Sequence, residues 1–227
     1  MSLGQRIQQL QQLIKDSEHS FKRESGSVLL LAVSKQQSSH DIEEAFNLGL
    51  TQFGENYYQE AEEKIKQLSH LNIIWHFIGP IQSNKTKGIA THFDWVHSIN
   101  RITIAERLNQ YRPSDLPPLN ICLQINIIAE PSKSGINCED AYALAQAVSQ
   151  LPRLKLRGLM TIPPPQNALE EQGEVFRQLK ELLDALNKKL GLSMDTLSMG
   201  MSDDLIPAIE AGATIVRIGR ALFGERQ

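Results

Sequence analysis

The chain has 227 residues, 41% of them apolar, with 23 Lys and Arg against 26 Asp and Glu and a net charge of −3. That length supports a substantial core in one large α/β domain or two small ones, and the charge balance supplies no basic field for nucleic acid. No stretch approaches a membrane span, and the unclustered Cys122 and Cys138 make neither a disulfide framework nor a zinc site.

The N-terminus has no apolar leader, so reduced thiols in the cytoplasm are expected. Leu3, Ile7, Leu10, Ile14 and Phe21 fall near helical spacing and predict a helix over 3–23, ended by Ser25-Gly26. Val28 to Lys35 is a continuous apolar run suited to a strand buried on both faces. It stops at Lys35, a costly end unless the amine is used or reaches water.

Ser38 and Asp41 stand at capping-box spacing before a helix that stops at Gly49. A second strand covers Thr51 to Phe53 and runs into Gly54-Glu55-Asn56, followed by a helix from Tyr57 to Leu68. Ile73 to Ile78, Asp94 to Ser98, Leu119 to Asn126, Lys155 to Thr161, Thr196 to Met199 and Thr214 to Ile218 read as six further strands. Helical patterns separate them: a short one after Lys85, Arg101 to Tyr111, Glu139 to Gln150, Leu169 to Leu190, and one from Ser202-Asp203 to about Gly212.

Eight strands alternating with helices, with no linker or shift in composition, predict one α/β domain over 1–227. Its expected architecture is a single (β/α)8 TIM barrel. A doubly wound open sheet is the alternative. The eighth helix is only a stub, Ala221–Gln227, and the extra N-terminal helix is expected to cover that flank.

Barrels place their chemistry at the C-terminal ends of strands. That rule selects Lys35, Asn56, His76, Asn126, Thr161, Ser198, Ser202, Arg217, Gly219 and Arg220. Some have plain structural readings. His76 suits a satisfied interior histidine, Asn56 a helix cap, and the Pro163–Pro165 run a stiff loop. The loops Ser198-Met199-Gly200-Met201-Ser202 and Arg217-Ile218-Gly219-Arg220 are sharper. Glycines admit backbone amides to an anion, serines add donors, and the loops after strands seven and eight are where barrels often bind phosphate. A phosphate cup facing a strand-end lysine, with an arginine beside it, suits pyridoxal phosphate. That cofactor needs an amine, a phosphate site and a group at its ring nitrogen.

Five segments carry a resemblance: Ala32-Val33-Ser34-Lys35, Phe53-Gly54-Glu55-Asn56-Tyr57, Trp75-His76-Phe77-Ile78-Gly79, Ser198-Met199-Gly200-Met201-Ser202 and Val216-Arg217-Ile218-Gly219. In order and over nearly the whole chain, the sequence resembles the pyridoxal phosphate homeostasis protein family. The resemblance implies a fold-type III barrel like the N-terminal domain of alanine racemase. It implies a cytosolic protein that binds pyridoxal phosphate and maintains vitamin B6 and amino-acid pools, without established catalysis.

By the same resemblance, Lys35 forms the Schiff base and Arg217 faces the pyridine nitrogen. Ser198, Ser202, Gly219 and Arg220 hold the phosphate, and Asn56 and His76 lie near the ring. Many relatives have threonine where this chain has Arg220, which costs a short hydroxyl donor. The Lys133 loop also recurs in the family.

A permanently cationic arginine disfavours protonation of the ring nitrogen and weakens the electron sink. Racemases of this fold add a second base from a further β domain, and the chain stops at Gln227, directly after strand eight. The expectation is therefore a monomeric, non-catalytic carrier with no metal, delivering cofactor to apo-enzymes dependent on pyridoxal phosphate. A minimal amino-acid racemase using Lys35 with water or His76 is the competing reading. A barrel enzyme acting on a sugar phosphate is a more distant one.

Overall fold

The computed structural model describes residues 1–129, 134–163 and 169–224, with only the backbone described for 169–171. Eight strands form one closed, all-parallel barrel in sequence order: β1 Leu29–Val33, β2 Gln52–Glu55, β3 Ile74–Phe77, β4 Trp95–Ile99, β5 Leu119–Gln124, β6 Leu154–Met160, β7 Thr196–Ser198 and β8 Ile215–Ile218. The ring closes where β1 pairs with β8, from Leu29 opposite Ile215 to Ala32 opposite Ile218. The open-sheet alternative is thereby excluded.

The helices follow from their ends and their apolar stripes. α1 (Leu3–Ser20) begins at a reciprocal capping box between Ser2 and Gln5. α2 (Ser39–Asn47) has the Ser38–Asp41 box that the spacing predicted. α3 (Tyr58–Gln67), α4 (Thr86–His92), α5 (Ile102–Tyr111), α6 (Cys138–Ser149), α7 (Leu169–Leu190), α8 (Leu205–Glu210) and α9 (Arg220–Phe223) complete the outer layer. Alternate strand residues such as Phe53, Phe77, Val96 and Ile121 face these helices and join one continuous apolar core with Ile42, Ile89, Leu108 and Leu179.

The extra helix covers the flank left by the eighth stub, as expected. α1 packs on α8 and α9. Arg6 donates from Nε to the Leu222 carbonyl at 2.5 Å, and Arg23 donates to Ile209 and Ala213 carbonyls at 3.0 and 2.6 Å. Two boundaries move. α1 stops at Ser20 because Lys22 turns left-handed, with φ 54°. α8 starts at Leu205, three residues after the predicted Ser202, because Asp204 turns back to accept the Met201 N–H instead of capping a helix at Ser202.

Candidate functional site

A cavity of about 600 Å³ opens at the C-terminal end of the barrel. Strand ends and the loops after them build its wall. Val33 and Lys35 come from β1, Asn56 from β2, Ile78 from β3, Ile162 from β6, Met201 and Ser202 from β7, and Arg217, Gly219 and Arg220 from β8. Lys35, Asn56, Ser202, Arg217, Gly219 and Arg220 were all selected from sequence, and one cavity brings them together.

Lys35 sits on a tight turn. Ser34 N–H donates to the Gly54 carbonyl, Gln37 N–H to the Ser34 carbonyl, and Gln36 between them is left-handed at φ 63°. Next to it, Asn56 Oδ1 is a buried acceptor with no hydrogen-bond partner. Such an atom is costly unless something supplies a donor. The Asn56 backbone needs a glycine beside it: a Cβ on Gly79 would lie 2.0 Å from the Asn56 carbonyl oxygen. Gly79→Ala is therefore expected to push the β2 end outward and cost about 1–3 kcal/mol. Urea unfolding of that variant measures the cost, and wild-type stability would show that the two strand ends separate freely.

On the opposite wall, Gly200 adopts φ 93°, and its carbonyl accepts the Arg217 N–H at 2.9 Å. Ser202 Oγ lies 3.4 Å from the Ala221 amide, at the first turn of α9. Gly219 brings its backbone against Val33, where an added Cβ would sit 3.4 Å from the Val33 carbonyl oxygen. α8 and α9 have six and four residues. Helices that short contribute little macrodipole, so any anion here is held by loop amides and the Ser202 hydroxyl. The Arg220 side chain pairs with Asp203 at 2.6 Å, both being exposed residues of the cavity lining. That leaves its backbone as the part suited to an anion.

His76 and Ser198 are placed differently from the other six. Neither lines the cavity. Both are fully buried in the barrel interior, where they belong to a chain of hydrogen bonds that runs from β2 through β3 to β4 and then crosses the barrel from β4 to β7. Gln52 Oε1 lies 2.9 Å from His76 Nε2, His76 Nδ1 lies 2.9 Å from His97 Nε2, and His97 Nδ1 lies 2.7 Å from Ser198 Oγ. Arg217 Nη1 then donates to Ser198 Oγ at 3.0 Å.

The direction of every proton in this chain follows from its two ends. Gln52 presents a carbonyl oxygen, so His76 must donate from Nε2 and accept at Nδ1. His97 therefore donates from Nε2 and accepts at Nδ1, and Ser198 donates to His97. The serine oxygen is left to accept from Arg217. All bonds are made with both histidines neutral. Burial pushes His76 down to about 3, and it lowers His97 well below the usual range, assisted by His76 and by Arg217. His76 lies below the cavity with both ring nitrogens engaged, so it is not a base facing a bound molecule.

Ser198 is similarly committed: its hydroxyl serves Arg217 and His97, a different task from the phosphate contact expected of it. Arg217 also donates to the Ser198 carbonyl at 2.6 Å and the Thr161 carbonyl at 2.9 Å. All its recorded acceptors are neutral, and no carboxylate lies within ion-pair distance of it among the described residues. Burial lowers Arg217 to about 10, so it stays cationic near neutrality. A buried cation with no carboxylate in contact, offset only at a distance by Asp204, favours an electron-rich ligand at the cavity wall.

His97 escaped the sequence reading. Its only signal was parity: within β4 it alternates with Val96 and Ser98, which places it on the inward face. Ser132, Lys133, Pro164 and Pro165 lie outside the described residues.

The barrel and its strand-end lysine cavity define a class. The family model described as "Alanine racemase, N-terminal domain" matches residues 9–227. The chain is 53% identical over 225 residues to the "Pyridoxal phosphate homeostasis protein" of Pseudomonas aeruginosa, covering 99% of this chain and 96% of that protein. It is 51% identical over 207 residues to the protein of the same name from Escherichia coli, covering 90% and 88%. PipY of Synechococcus elongatus, solved with PLP bound, superposes with a TM-score of 0.83 at 36% identity, covering 93% of this chain and all of that one. Alanine racemase of Corynebacterium glutamicum shares the fold, with a TM-score of 0.72 at 16% identity over 99% of this chain and 61% of its own. The chain belongs to the pyridoxal phosphate homeostasis protein family.

Proposed function

We propose that the protein binds pyridoxal 5'-phosphate and serves vitamin B6 and amino-acid homeostasis as a single-domain carrier over 1–227. The observation that carries the reading is the cavity shared by Lys35, Ser202, Gly219 and the buried Arg217. Its residues fit the cofactor. Lys35 would supply the amine for a Schiff base with the cofactor's aldehyde. Ser202 and the amides around Gly219 and Arg220 hold the phosphate. Arg217 keeps an N–H for the ring nitrogen, and the unpartnered Asn56 Oδ1 accepts from a donor on the bound molecule.

When bound, the cofactor supplies an electron sink for chemistry at an amino-acid α carbon. Arg217 restrains that sink, because a fixed cation opposes a proton on the ring nitrogen. His76, with both ring nitrogens engaged and outside the cavity lining, supplies no base opposite Lys35, and the one carboxylate among the cavity-lining residues, Asp203, is paired with Arg220. The reading is therefore of a carrier that holds and releases the cofactor to dependent apo-enzymes, in the cytoplasm and as a monomer. The names of the relatives and the PLP-bound PipY structure support it.

Borohydride reduction of the cofactor-loaded protein tests the site. Peptide mapping is expected to find the reduced pyridoxyl group on Lys35 alone. A label on another lysine, or none after loading, would overturn the assignment.

A further inference from the structure

The outer side of the Lys35 turn carries a buried ionic cluster that the cavity does not use. Strand parity sends Lys35 inward and its neighbour Ser34 outward. There, Ser34 Oγ donates to Glu55 Oε1 at 2.6 Å. Lys64, from α3, donates to the same Glu55 oxygen at 2.9 Å, to the Ser34 carbonyl at 2.8 Å and to Glu60 at 2.6 Å. Glu60 in turn accepts the Gln36 N–H. Ser34 and Glu55 are fully buried, and Lys64 is 5% exposed. The residues on both sides of Lys35 are thus fastened from outside by three side chains, at the carbonyl and hydroxyl of 34 and at the amide of 36.

The cluster is a poor device for stability. Glu55 Oε2 is buried without any partner, and burial raises the Glu55 carboxyl despite Lys64 and Ser34. Buried charges of this kind are often replaced by apolar side chains of similar volume without loss of stability. What apolar groups cannot do is receive the Gln36 N–H and donate to the Ser34 carbonyl. Those two bonds hold a left-handed glutamine, a conformation that non-glycine residues adopt at a cost.

We propose that Glu55, Lys64 and Glu60 are positioning residues for Lys35: they fix the turn that aims its amine into the cavity. This rests on Lys35 being the attachment point. Glu60 is the accessible member, with its side chain 28% exposed on α3. Its truncation removes the Gln36 anchor and leaves Lys64 paired with Glu55 alone.

The test compares Glu60→Ala, Glu60→Gln and the double variant Glu55→Leu/Lys64→Met with wild type. Thermal unfolding, amide exchange at Gln36, affinity for pyridoxal phosphate and the acetylation rate of Lys35 by acetic anhydride in apo-protein are measured for each. Glu60→Ala is expected to melt as wild type does, exchange faster at Gln36, acetylate Lys35 at a changed rate and bind the cofactor about tenfold more weakly. Glu60→Gln, whose amide oxygen still accepts, is expected to recover wild-type values. The double variant is expected to melt no lower than wild type and to bind about tenfold more weakly.

Wild-type affinity in Glu60→Ala or in the double variant overturns the proposal. So does an affinity loss that merely tracks lost stability. Should borohydride label a lysine other than Lys35, the functional reading fails by itself. The acetylation rate of Lys35 in apo-protein still reads the positioning role.

Discussion

Lys35→Ala protein is expected to fold normally and to bind pyridoxal phosphate about a hundredfold more weakly, a loss of roughly 3 kcal/mol. It should show none of the Schiff-base absorbance of wild type. Lys35 stands at the cavity wall, outside the apolar core, so truncation leaves the packing intact. The residual affinity has a definite source. Ser202, the loop amides and Arg217 are untouched, so inorganic phosphate should bind wild-type and Lys35→Ala protein equally. Titration with pyridoxal phosphate and with phosphate, each followed calorimetrically, separates the covalent contribution from the anion site. Equal cofactor affinity in both proteins would remove Lys35 from the site, and loss of phosphate binding in the variant would mean that the lysine shapes the cup itself.

The order of elements was legible because each strand is a short apolar run and each connection is long enough for a parallel crossover. Closure was less legible. Nothing in Leu29–Val33 names Ile215–Ile218 as its partner, and the barrel was inferred from the number of strands. At the site, the candidates that meet at the cavity are those whose backbone position alone puts them at the rim. Lys35, Ser202 and Gly219 follow directly from where their strands stop.

Side-chain direction was the part that sequence could not supply. Ser198 and Ser202 flank the same glycine and look equivalent as hydroxyl donors, but Ser198 is still within β7 and faces the barrel interior. Arg220 occupies a rim position, but its guanidinium is already paired with Asp203. His97 was hidden for a related reason. Barrel interiors usually hold branched apolar side chains, so an inward histidine draws attention only once a second polar group is seen to meet it.

The buried histidines make the protein acid-sensitive in a way that can be assigned to one residue. Below about pH 6.5 the unfolded chain takes up a proton on His76, and the folded protein refuses it until about pH 3. Unfolding is then accompanied by proton uptake, so the stability present above the unfolded value is lost progressively as pH falls through that window. The slope is about 1.4 kcal/mol per pH unit, or about 3 kcal/mol by pH 4. His97 acts in the same direction, through burial first and then its neighbours His76 and Arg217. Glu55 and Asp204 act in the opposite direction, since burial raises both carboxyls and the folded protein takes up their protons before the unfolded chain does.

The wild-type pH profile therefore mixes signs, and the informative quantity is its difference from His76→Gln. That variant loses the imidazole stacked on Trp95 at 5.5 Å and part of the hydrogen-bond chain, so it is expected to be the less stable protein at neutral pH. It has no proton to refuse. The gap between the two should close by about 3 kcal/mol between neutrality and pH 4. Urea unfolding across that range decides the matter, and parallel profiles would mean that His76 takes up its proton as readily in the fold as in the unfolded chain. A charged His76 would donate at both nitrogens, reverse its bond with His97 and leave Ser198 accepting from both His97 and Arg217, its own proton stripped of the His97 acceptor. The neutrality of two histidines below the cavity is thus the condition under which the Ser198 proton keeps its acceptor, while Arg217 stays held by the Ser198 and Thr161 carbonyls.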